Sequence, residues 1–110
     1  MPTFITYASY SASGAKGLVD KPADRTGVIK GLVERGGGKF IAMYFTTGSN
    51  DVVLVTDVPD GTDAVALGMA VAASGSLSKI ETVRAFTPSE FKAIAEKAAK
   101  VVGAYTPPGR

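Results

Sequence analysis

Lys39-Phe40-Ile41-Ala42-Met43-Tyr44-Phe45-Thr46-Thr47-Gly48-Ser49-Asn50-Asp51-Val52-Val53-Leu54-Val55-Thr56-Asp57-Val58 is the stretch on which the fold turns. Two runs of β-branched and aromatic residues flank Gly48-Ser49-Asn50. That composition predicts two strands, Lys39 to Thr47 and Asp51 to Val58, joined as an antiparallel hairpin. Strand alternation sends Ile41, Met43 and Phe45 one way and Phe40, Ala42 and Tyr44 the other, and the third strand carries valine on both sides. Neither side is polar, so neither is expected to face water.

Working outward, Thr3 to Tyr10 has strand composition, with Phe4, Ala8 and Tyr10 on one side and Ile5 and Tyr7 on the other. Ser11 to Asp20 reads as a loop. Pro22 suits a first helical turn, Val28, Ile29, Leu32 and Val33 follow at helical spacing, and Gly36-Gly37-Gly38 stops that helix. Beyond the hairpin, Pro59-Asp60-Gly61-Thr62-Asp63 opens a second helix with Asp60 as its cap, and Gly75 closes it. Lys79 to Phe86 is a fourth strand. Thr87-Pro88-Ser89-Glu90 then forms a capping box with proline at the first helical position, between the staple residues Phe86 and Phe91. The third helix has an apolar stripe of Phe91, Ile94, Ala95, Ala98 and Val101 or Val102, and is expected to dock by that stripe. This order predicts an α+β, ferredoxin-like βαββαβ domain over residues 1–103 with an added C-terminal helix. Its four-stranded antiparallel sheet has the spatial order 4-1-3-2, and residues 104–110 form a flexible tail.

At 110 residues there is room for a single core. Hydrophobic residues make up 45% and charged residues 20%, a balance that folds. Twelve basic and ten acidic residues give a net charge of +2 with no basic block, so no nucleic-acid footprint is visible. There is neither cysteine nor histidine, which removes disulfides and the imidazole base and nearly excludes zinc chemistry. No metal or cofactor is expected. The opening residues do not resemble a signal peptide, and Ala64 to Ala73 is about half of the ~20 apolar residues a membrane span needs. A cytoplasmic protein without membrane partners is the expectation.

Two helices cover one face of such a sheet, and an open second face would be a several-hundred Å² apolar patch. Either the third helix folds over it or a second copy does, and the second copy is preferred; it would leave a cavity between the sheets. Within that covered space Arg84 and Thr82 are expected to face Tyr44, Thr46 and Thr6, with Val83 and Ala85 turned toward the core. These five polar residues describe a site for a small anionic or carbonyl-bearing ligand. The competing reading makes Arg84 a structural ion-pair residue. Gly14-Ala15-Lys16-Gly17 is a weaker anion candidate. Asp57, Asp60 and Asp63 lack the spacing of a cation loop and read as turn and cap residues, as does Asp51.

Taken together, Met1-Pro2-Thr3-Phe4-Ile5-Thr6 with Tyr10, Gly14, Pro22, the Gly-Gly-Lys before the second strand, Thr47-Gly48-Ser49-Asn50-Asp51-Val52-Val53 and Arg84-Ala85-Phe86-Thr87-Pro88-Ser89-Glu90-Phe91 resemble the GYD domain family. The resemblance implies small, mostly bacterial proteins with a ferredoxin-like, dimeric α/β-barrel fold and no established general activity. The family motif at the hairpin would fall on Gly48, Asn50 and Asp51, with Asn50 standing where the family has tyrosine. Three functions compete: an oligomeric small-molecule binding or sensing module, a cofactor-independent enzyme of oxygenase or isomerase type, and an assembly protein without ligand. Binding ranks first, because no nucleophile–base pair is readable.

Overall fold

In the computed structural model, which describes residues 1–109, four strands form one antiparallel sheet. The chain runs β1 (Thr3–Tyr10), α1 (Ala12–Asp20), α2 (Thr26–Arg35), β2 (Lys39–Phe45), β3 (Val52–Asp57), α3 (Gly61–Ala72), β4 (Leu77–Ala85) and α4 (Pro88–Val101), then a 3-10 turn at Val102–Ala104. The spatial order β2-β3-β1-β4 is the expected one read from the opposite edge. This is the ferredoxin-like plan with α4 appended. No helix among the described residues is long and apolar enough to cross a membrane.

Local signals fix several boundaries as expected. The Asp60 side chain accepts from the backbone N–H groups of Thr62 and Asp63, and the Asp63 carboxylate accepts from Asp60 N–H in return. Those hydrogen bonds hold the Asp60 carboxyl below its ordinary range, the Thr62 side chain contributing most. Thr87 and Glu90 form the same reciprocal box at the start of α4. Gly37, Gly48 and Gly75 take φ of 80°, 99° and 76° at the end of α2, in the hairpin and after α3. A side chain is strained there.

Residues 11–20 differ from expectation: the segment read as a loop is α1. Its two interior glycines and weak apolar spacing hide it, because its stability comes from tertiary contacts rather than propensity. Ser11 caps the helix, its hydroxyl accepting from Gly14 N–H at 3.2 Å. The same residue donates its backbone N–H to Ser76 O at 2.8 Å and its hydroxyl to Gly75 O at 2.7 Å. Helix and sheet approach so closely that a Cβ on Gly14 would sit 2.2 Å from Ser76 O, a backbone atom. Gly14→Ala is therefore expected to cost about 1–3 kcal/mol through overpacking. Gly17→Ala, with nothing within 4 Å, should be neutral or gain up to about 1 kcal/mol. Equal urea midpoints for the two variants would contradict this account of α1. Pro22 is also displaced from its expected place, lying in the connector before α2. That helix starts at Thr26, whose N–H donates to Asp24 Oδ1 at 2.9 Å.

The core is tight at one end of the sheet. Phe4, Val58 and Ala64 are buried together with Leu67 against them, and Val33 is buried nearby. A Cβ on Gly36 would meet Leu67 Cδ2 at 2.8 Å, and one on Gly38 would meet Val58 Cγ1 at 2.7 Å, so the chain leaving α2 passes this core as bare backbone. Val58 also donates its N–H to Pro2 O at 3.0 Å. The buried set includes Phe4 and Ala8 of β1, which places the Phe4-Thr6-Ala8-Tyr10 row under the helices. Ile5 and Tyr7 face the other way.

Strand pairing extends this assignment across the sheet. Phe4 pairs with Thr56 and Arg84, Thr6 with Leu54 and Thr82, and Ala8 with Val52 and Ile80, so all of these lie on the helix side. The outer side carries Ile5, Tyr7, Val53, Val55, Ala42, Tyr44 and Val83, with the charged residues Lys39, Asp57, Lys79 and Glu81 around them. Val83, expected in the core, is thus on the outer face, and Arg84 and Thr82 are on the helix side. A register shift between Phe40 and Ala42 adds one residue to β2, so Phe40 rather than Ile41 joins Met43 and Phe45 on the helix side. None of the helices covers the outer face. The expected docking of α4 is not seen: its residues are all exposed, Phe91 at 59%, and the molecule measures 59 × 33 × 22 Å.

Candidate functional site

Helices α2 and α3 close on the sheet at the Phe4–Val58 end and α1 approaches it at Ser76, and between these contacts the helices and the sheet line a cavity of about 590 Å³. Its walls are largely aliphatic, with Leu18 of α1, Ile29 and Leu32 of α2, Leu54 of β3 and Leu67 and Val71 of α3 among them. The Thr6 and Thr82 side chains lie in the sheet wall with their hydroxyls 3.0 Å apart, so they satisfy much of each other's hydrogen-bonding capacity. Lys21 and Arg25, from the connector between α1 and α2, also line the cavity and are exposed. Neither forms an ion pair among the described residues, and no Asp or Glu lines the cavity.

Tyr10 sits in the same lining at the end of β1. Burial pushes its phenol pKa up; the Arg25 guanidinium pulls it back, and Asp51 adds to the rise. The strand end is fixed by Asp51, whose Oδ2 accepts from Tyr10 N–H at 2.9 Å while its own N–H donates to Ala8 O at 2.8 Å. The hairpin residue Asp51 thereby orients the β1 end that carries the phenol. Thr46 closes the hairpin, its hydroxyl donating to Asn50 O at 2.7 Å and its N–H to Asp51 O at 2.8 Å. The Asn50 side-chain oxygen is buried and has no hydrogen-bond partner among the described residues.

The five residues expected to share one ligand space are separated by the fold. Thr6 and Thr82 meet in the cavity. Tyr44 is on the outer sheet face, 66% exposed, and Thr46 is an exposed hairpin residue. Arg84 is on the helix side but outside the cavity: its guanidinium lies 4.4 Å from the Phe86 ring centre and 5.8 Å from that of Phe4. Its Nη1 donates to Thr3 O at 3.1 Å and to Ala85 O, and its Nη2 stands 3.9 Å from Glu90 Oε2. Sequence reasoning missed Tyr10, Lys21 and Arg25 because the segment before α2 was read without α1, and α1 is what brings that connector over the sheet. The weaker anion candidate around Lys16 now lies within α1, where Lys16 Nζ pairs with Asp20 Oδ2 at 2.5 Å. Among the described residues no group of three or more Asp or Glu is placed to hold a metal, and Asp57 accepts from the Thr3 hydroxyl at 2.6 Å.

The family model described as the GYD domain matches residues 4–95, most of the chain and all of the elements around the cavity. This chain belongs to the GYD domain family. No curated protein matches this GYD domain. Among solved structures it is similar to MtbAldR, at 12% identity and a TM-score of 0.52, over 78% of this chain and 52% of that one. The GYD chain therefore spans about half the length of MtbAldR. An uncharacterized NIPSNAP domain protein from Burkholderia xenovorans also matches, at 14% identity and a TM-score of 0.46, over 79% of this chain and 94% of that one. At such identity the likeness to MtbAldR concerns the fold.

Proposed function

We propose that this GYD domain is a small-molecule binding or sensing module that works as a homodimer or higher homo-oligomer, with its ligand in the helix–sheet cavity. The observation that carries the reading is the cavity itself: 590 Å³ of mostly apolar space with a few polar groups falls in the ~300–1,000 Å³ range of ligand pockets. Thr6 and Thr82 are the sequence-predicted residues that it retains. An enzyme in the same space is the weaker reading. Among the described residues the lining offers no carboxylate, and burial raises the Tyr10 phenol pKa, which favours a hydrogen-bond donor over a base there. Self-association is supported by the outer sheet face, whose centre is apolar and which no helix among the described residues covers.

A thermal-shift screen of neutral and charged apolar compounds against the wild type and Gly68→Leu tests the cavity. Gly68 lines it, and a Cβ there would meet Ile80 Cδ1 at 3.6 Å, ordinary contact, so a leucine side chain occupies ligand space. A subset of compounds should raise the wild-type melting temperature, the added stability being about 2.7 kcal/mol at a hundredfold excess over Kd. The same compounds should leave Gly68→Leu unmoved. Silence across the screen would sink the reading.

A further inference from the structure

We infer that the cavity takes an apolar monocarboxylate, hydrocarbon body inward and carboxylate at the Lys21–Arg25 end. This rests on the cavity reading above and adds the ligand's charge, its polarity and its orientation.

The first argument is the sign of the lining. Both charged side chains in it are cations, both come from the five-residue connector between α1 and α2, and neither forms an ion pair with an acid among the described residues. Two uncompensated cations beside low-dielectric walls favour an anion. The guanidinium and the ammonium offer charge-assisted hydrogen bonds, about twice as strong as neutral ones. The Tyr10 hydroxyl lies in the same lining, close enough to Arg25 to feel its charge, and is a third donor.

The second argument is the distribution of polarity. Away from the cations the walls are largely apolar, and the Thr6 and Thr82 hydroxyls in the sheet wall are bonded to each other. A ligand with polar groups at both ends would have to desolvate one of them against Leu32, Leu54 and Val71, which is costly without a partner. One anionic head on an apolar body leaves every buried surface matched. The single charge follows from the apolar depth: a second carboxylate would find no second cation there.

Decanoate and decanol share a hydrocarbon body and differ in the head, so titrating each into the full-length protein by calorimetry isolates the charge. One decanoate per protomer is expected, bound at least about tenfold more tightly than decanol and weakening with added salt. The double variant Lys21→Gln, Arg25→Gln should bring decanoate down to the affinity of decanol and leave decanol unchanged. Contacts between the decanoate chain and the Leu32 and Leu54 methyl groups, read by nuclear Overhauser effects, should locate the body even if Gly68→Leu folds poorly. Equal binding of the two compounds, or an unchanged decanoate affinity in the double variant, overturns the anion assignment while the cavity reading stands. Binding of neither also overturns the assignment, and the cavity reading falls with it only if the neutral compounds of the thermal-shift screen are silent too.

Discussion

Phe4→Ala is expected to lower stability by about 3–5 kcal/mol, a large part of the roughly 5–15 kcal/mol that holds a domain of this kind together. The ring is 8% exposed and packs with Val58, which is fully buried, and with Ala64 and Leu67, at the end of the sheet where α2 and α3 close on the strands. Truncation leaves a void that Val58 cannot fill, since it is already pinned by the hydrogen bond to Pro2 and by the close pass of Gly38. It also removes a face from the Arg84 guanidinium. The control is Phe45→Ala, the same deletion at a residue 58% exposed in the cavity lining, where the loss should stay under about 1.5 kcal/mol. Urea unfolding with an unchanged m-value measures both. Similar midpoints would mean that the closed end is not the core described.

Val55→Asp is expected to convert the proposed dimer into monomers. Val55 lies on a central strand of the outer face, between Ile5 on β1 and Ala42 on β2, so a second copy covering that face would bury the carboxylate without a partner. An uncompensated buried charge costs about 3–5 kcal/mol, more than a hundredfold in dissociation constant. Within one protomer the position is partly exposed, so the carboxylate can reach water and the variant should still fold. Sedimentation equilibrium distinguishes the cases. A wild type that sediments as one chain at high concentration would refute the dimer, and a variant that keeps the wild-type mass would place the contact elsewhere.

The strands, the hairpin and both reciprocal caps were legible because each is written locally: β-branched runs bounded by Gly48, and Asp60 and Thr87 three residues ahead of an acid. What was not legible has a physical cause in each case. Alternation tells which residues share a side but not which side receives the helices, and with Phe4 and Ile5 both apolar the sequence offered no contrast. Thr82 and Arg84 were therefore assigned to the wrong side, and Tyr44 was grouped with residues it does not meet. The extra residue at Ile41 shifts the count within β2, a local event that period-two reasoning passes over. Helix α1 is held by Ser11 on Gly75 and Ser76, contacts some 65 residues distant in sequence. With it went the connector that carries Lys21 and Arg25.

Arg84 fastens three pieces of chain that would otherwise part independently. Its guanidinium reaches the opening of the central strand at Thr3, lies across Phe86 and stands beside Glu90 in the first turn of α4. Peeling the edge strand β4 from β1 thus also undoes the seat of that first turn, so the projecting helix and the sheet margin should lose amide protection together, as one cooperative unit.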